Sequence, residues 1–153
     1  MDYNTFFTRE VPELLSKLDN MAVARWGSMK VDEMLDHLLA GIAISLKDVD
    51  RKITTPEDKL PAFRQFLMSD RPFGKNLPKP AAFDDYPKKN GDINTKKMQL
   101  MKEVMNMLSY FEKHPDHSAI HSSFGRLNVT GWKHLHKKHF THHFNQFGVL
   151  KNN

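Results

Sequence analysis

Apolar residues recur along the chain at intervals of three and four, the spacing of helices that bury one face. Four segments carry that spacing. Val11, Leu14, Leu15 and Leu18 mark a first helix from Thr8 to Asp19, with Thr8 as its cap and Pro12 early enough to be tolerated. Val31, Met34, Leu35, Leu38, Leu39 and Ile42 mark a second from about Lys30 to Lys47, although Ser28 is a better capping residue than Lys30. Met98, Leu100, Met101, Val104, Met105, Leu108 and Phe111 mark a third, from Asn94 or Thr95 to Lys113. The turn signal Lys89-Asn90-Gly91-Asp92 precedes it and Pro115 follows it. The fourth opens at the cap Asn128 and runs through Trp132 to Phe147, where Gly148 stops it. Between the second and third lies a long connection, Asp48 to Gly91, which holds six of the eight prolines, Pro56, Pro61, Pro72, Pro78, Pro80 and Pro87. A short helix around Pro61 to Met68 is expected within it. The remainder reads as irregular chain, either a cover over a site or partner, or a strap between two helices. No run alternates apolar and polar residues as a strand does. The pattern therefore predicts one all-α domain over residues 1–153, a four-helix bundle with one long crossover between helices 2 and 3.

Composition narrows the chemistry. Cysteine is absent, which removes disulfides, thiolate ligands and a cysteine nucleophile and leaves His, Asp and Glu to bind any metal. The longest apolar stretch, Leu38 to Leu46, is about half of the roughly 20 residues a membrane span requires. The N-terminus MDYNTFFTREVPELL carries acids where a secretion signal is basic and then greasy. A cytoplasmic protein with no membrane partner is expected.

Charge and histidine are unevenly placed. All 18 acidic residues lie at or before Asp116, and Arg126, Lys133, Lys137, Lys138 and Lys151 lie beyond it, so the whole net charge of +5 sits in the tail. Eight of the nine histidines fall from His114 onward, five of them between His134 and His143. On a helical wheel of about 100 degrees per residue, His139 and His143 share the centre of the inward stripe with Trp132, and Lys133, His134, Lys137, Lys138, Thr141 and Asn145 face the other way. Imidazoles at i and i+4 stand roughly 5 to 6 Å apart at their Cβ atoms, close enough to chelate one ion. Zinc helices use the same pair, here without the intervening Glu of the metalloproteases. Upstream of the tail there is a single histidine, His37, in Asp32-Glu33-Met34-Leu35-Asp36-His37-Leu38. It falls at the margin of the apolar arc, on a weaker stripe with Met34, Gly41 and Ile44. His136 is the nearest competitor as a ligand, whereas His114, His117, His134 and His142 read as solvated surface. Spacing alone leaves two alternatives open, a metal site or a hydrogen-bonded pair of core histidines. Trp26, Trp132, Phe144 and Phe147 read as core or interface.

Three stretches together resemble a known family: Trp26-Gly27-Ser28-Met29-Lys30-Val31-Asp32-Glu33-Met34-Leu35-Asp36-His37-Leu38, then His121-Ser122-Ser123-Phe124-Gly125-Arg126-Leu127, then Trp132 followed by His139-Phe140-Thr141-His142-His143-Phe144-Asn145-Gln146-Phe147-Gly148. In this order they are similar to the DinB superfamily, and within it to a DinB-related family of unassigned function, over nearly the whole chain. The resemblance implies a four-helix bundle in which one histidine of the second helix and two of the last bind a divalent metal ion, zinc, nickel or iron. Carried onto this chain, those are His37, His139 and His143. Relatives often have His-Pro where this chain has His121-Ser122-Ser123, and a small polar cap where it has Lys30. Neither departure removes a ligand. The superfamily includes metal-dependent thiol transferases that use low-molecular-weight thiols, isomerases and hydrolases.

Three imidazoles leave a coordination position open, as in catalytic rather than structural zinc sites. The expected function is a divalent-metal-dependent enzyme, a transferase or hydrolase, that activates water or a small-molecule thiol. With no cysteine in the chain, the thiol must come from outside. Glu33, one turn from His37, and Gln146, beside His143, are candidates for orienting ligands or handling protons. The alternatives are a non-catalytic metal-binding scaffold, and a basic nucleic-acid or anion-binding module built on Lys133, Lys137 and Lys138. Three lysines make a thin footprint for nucleic acid, so a small-molecule substrate is the expected partner. Exposed aromatics suggest a homodimer.

Overall fold

The computed structural model describes residues 2–86, 88–89 and 91–150. Pro87 and Asn90, two positions of the predicted proline-rich connection and turn, and Lys151 of the basic tail lie outside the described residues.

Helix α1 starts before its hydrophobic spacing does, because Asp2 is the cap: its Oδ1 accepts from the Thr5 N–H at 3.0 Å. The helix comprises a first turn Tyr3–Thr5, a π-helical segment Phe6–Glu10 and Val11–Ser16. The wider π turn lets two consecutive aromatics, Phe6 and Phe7, both reach the core. Thr8, expected as the cap, lies inside the helix, where its hydroxyl donates to the Asn4 carbonyl at 2.7 Å. Helix α2 spans Val31–Leu46 and has no side-chain cap, in keeping with its poorly marked start. Within the long connection, a 3-10 turn Glu57–Lys59 leads into α3, Leu60–Leu67, and a second 3-10 turn covers Ala81–Asp85. Helix α4, Ile93–Lys113, is capped by Asp92, whose Oδ1 accepts from Thr95 N at 2.7 Å. Helix α5, Val129–Gln146, is capped by Asn128 through Gly131 N at 2.9 Å.

The expected plain four-helix bundle is overturned. Five helices are joined by a two-stranded antiparallel sheet, β1 Ser118–His121 and β2 Gly125–Asn128, which makes a mixed α/β arrangement. The pairing runs from Ser118 opposite Asn128 to His121 opposite Gly125. Each strand is four residues long, so period-two alternation repeats too few times to read. Ala119 is the one fully buried position of β1, and Gly125 and Leu127 are those of β2. The three-residue loop between the strands closes on Gly125, whose φ of +73° suits glycine alone. A Cβ at that position would also stand 2.6 Å from Arg64 Nη2. The long connection saturates this loop: Thr54 N donates to Ser122 O at 2.8 Å, Thr55 Oγ1 to Ser123 O at 2.7 Å, and Arg64 Nε to Phe124 O at 2.9 Å.

The core forms where α2 packs between α4 and α5. Met34, Leu35, Leu38 and Ile42 share one buried core with Leu100, Val104, Met107 and Phe111 of α4 and with Trp132, Phe140 and Phe144 of α5. The buried stripe of α4 is narrower than the sequence suggests, since Met98 and Met105 are exposed. Among the described residues no helix is long and apolar enough to cross a membrane.

Two of the tail histidines are structural. His136 is fully buried, and its Nε2 donates to Ser45 Oγ at 2.8 Å, whose own proton goes to the Ile42 carbonyl at 2.6 Å. His121 Nδ1 accepts from Ser123 N at 2.9 Å. Burial pushes His136 from the ordinary 6.5 down to about 3 and His121 to about 4. Between those values and 6.5 the unfolded chain binds protons that the folded chain refuses, so this stability is complete above pH 6.5 and is lost as pH falls. The urea midpoint of the metal-free protein is expected to drop steadily from pH 6.5 toward 4, and His136→Gln to make that slope shallower. A midpoint that stays level through the window contradicts the assignment.

Candidate metal centre

Helix α2 supplies His37, and α5 supplies His139 and His143 one turn apart. The rings point at one another through their Nε2 atoms: His37 to His139 at 2.9 Å, and His143 to His139 at 3.1 Å. The ligating nitrogens of all three lie within 4.8 Å of one another. An imidazole nitrogen has one in-plane position, filled by either a proton or a lone pair. His139 Nε2 thus faces two nitrogens at bonding distance and can serve one. The alternative of hydrogen-bonded core histidines leaves one of these contacts unmatched, whereas a cation shared by three lone pairs matches all of them. Nitrogens held about 2.0–2.1 Å from a common zinc-like ion stand about 3 Å apart when they subtend a right angle, close to the two spacings to His139. The donor set therefore fits a divalent metal ion.

Neighbouring groups fix the rings. His143 Nδ1 donates to Gln146 Oε1 at 2.7 Å, and Gln146 Nε2 donates to the Trp26 carbonyl at 3.1 Å. The second bond sets which way the amide points. The first then places the His143 proton on Nδ1 and leaves the Nε2 lone pair facing the other two rings. Gly41, one turn beyond His37, lets the His139 ring lie against α2: a Cβ there would already touch Nδ1 at 3.4 Å. From the long connection, Phe83 stacks on the His37 ring with centroids 4.2 Å apart and planes 26° from parallel. His37 Nδ1 is buried with no partner among the described residues.

All three rings are neutral near pH 7. Burial pushes His37 down to about 3 and His143 to about 4, and holds His139 well below the ordinary range. The nearby His143 lowers both His37 and His139 further, while the Gln146 bond partly opposes the shift of His143. Neutral imidazoles keep the lone pairs a metal requires.

The other candidates separate. Gln146 is buried at the centre, with both ends of its amide engaged. Glu33 is half-buried on α2 and lies outside the walls of the cavity that holds the three rings. His136, the competing ligand, is committed to Ser45. His142, read as surface, is half-buried on the cavity wall, edge-on to Trp26 at 5.7 Å. His117 is drawn in as well, bonding the Ser45 carbonyl at 2.8 Å, whereas His114 is exposed.

The cavity measures about 750 Å³. Its walls include Met29, Phe63, Phe66, Phe73 and Phe83, with His121 and Ser123 as polar points, and among the described residues no carboxylate lines it. All four of those aromatics come from the 48–91 connection. Nothing in the sequence distinguishes Phe83 from the other ten phenylalanines, so its place on His37 was not readable.

No curated protein and no solved structure matches the chain. Residues 8–149 match a family described as a protein of unknown function, DUF1569. With nearly its whole length matched, the chain belongs to the DUF1569 family.

Proposed function

We propose that the chain holds one divalent ion, zinc, nickel or iron, on His37, His139 and His143 and acts through it on a small molecule, as a transferase or hydrolase of DinB-like chemistry. The crowding of two nitrogens on His139 Nε2 carries this reading. When bound, such an ion supplies a Lewis acid with room for a water or a small thiol.

The chain's own residues define the rest. Gln146 orients His143, because both ends of its amide are occupied and it has no proton to exchange. Phe83 holds the His37 ring by stacking. The largely apolar walls strengthen charge interactions inside. Glu33 lies outside those walls and His121 is held by Ser123, so proton handling falls to His142, the other imidazole there beyond the three-ring cluster. A flat polyanion-binding face is the weaker reading. Lys138, one of its three lysines, is only 9% exposed and donates to the carbonyl oxygens of Ser69 and Arg71.

Protein purified without added metal is expected to carry about one divalent ion per chain, and His37→Ala, His139→Ala and His143→Ala to lose it, as read by elemental analysis. Equal metal content in all four proteins defeats the proposal. Gln146→Leu keeps the three ligands but frees the His143 ring. Its metal affinity, measured by competition with a chelator, is expected to fall about 10- to 100-fold. An unchanged affinity removes Gln146 from its orienting role.

A further inference from the structure

A second cavity, of about 340 Å³, abuts the first, and Trp26, Arg71, Phe73 and His142 line both. Among the described residues its walls carry Arg25, Arg71, Lys75, Lys137 and Lys138 against one carboxylate, that of Asp70. Among the described residues the four ion pairs lie elsewhere, and none of these five cations has a carboxylate within 4.0 Å. Neutral groups flank three of them instead. Lys75 Nζ stands 4.5 Å from the Trp26 ring centre, and the Arg71 guanidinium 5.2 Å from that of Phe66. Lys138 lies between the Ser69 and Arg71 carbonyls, 4.8 Å from the Phe66 ring centre. Like charges gathered around a small concave space repel one another, and a bound anion relieves that repulsion. Among the described residues the three-histidine cavity has no carboxylate at all, so an ion held there on neutral ligands would keep its full charge.

We infer that the basic cavity grips an anionic group, a carboxylate or a phosphate, of the same small molecule whose other end reaches His37, His139 and His143. For that other end the inference rests on the metal reading above. The substrate class is then an anion with an apolar middle, lying along Trp26 and Phe73 between the two cavities.

Calorimetric titration of the full chain with inorganic phosphate and with succinate, at fixed ionic strength, tests this. The protein is used both as purified and after chelation. One or both probes are expected to bind saturably in both states. Binding should be at least about tenfold weaker in the double variant Arg71→Gln, Lys75→Gln. Both of those side chains are exposed, and the variant should keep wild-type metal content. Absence of saturable binding, binding confined to the metal-loaded state, or equal affinity in the double variant overturns the inference. Chelated protein reports on the basic cavity alone, so failure of the metal reading would appear in metal content and leave this result standing.

Discussion

His139 Nε2 sits between two other imidazole nitrogens, and much of the molecule serves to hold that contact. It needs α2 and α5 to approach closely, which Gly41 permits by leaving space for the His139 ring. The approach is held by apolar packing, with Met34, Leu38 and Ile42 of α2 against Trp132, Phe140 and Phe144 of α5. Burial then keeps the rings neutral, with one N–H and one lone pair each. Two nitrogens crowd on the one in-plane position of His139 Nε2, a cost that the core sustains and that a cation shared by the three rings would relieve.

The 48–91 connection is the other half of the design. Thr54, Thr55 and Arg64 bond the carbonyls of the β1–β2 loop, Phe83 stacks on His37, and the Ser69 and Arg71 carbonyls hold the Lys138 ammonium. One irregular segment thus roofs the three-histidine cavity and folds the lysine side of α5 into a second, basic cavity. Of the two roles open for it in the sequence, cover or strap, the contacts fit a cover.

What was legible in the sequence follows from how often a signal repeats. Helices α2, α4 and α5 show their apolar period over four turns or more, and their extents were readable to within a residue or two, as was the short α3. The His139 and His143 pair followed from the same period, and His37 from being the one histidine upstream of the tail. The hairpin could not be read because four-residue strands give alternation no room. The start of α1 could not be read because a π-helical segment breaks the period that would reveal it. The wheel also misjudged Lys138 and His142, since it shows which way a side chain points but not that a distant loop returns to cover it. His117, read as surface, is turned inward by the Ser45 carbonyl of α2, and His136, read as a competing ligand, is bonded to the Ser45 hydroxyl instead.

X-ray absorption at the edge of the bound metal, in the purified wild-type protein, reads the coordination shell itself. The account predicts three imidazole nitrogens at about 2.0–2.1 Å, with any remaining light-atom ligand contributed by solvent. A coordination shell with fewer than three imidazoles, or one unchanged when His37 is replaced, would contradict it.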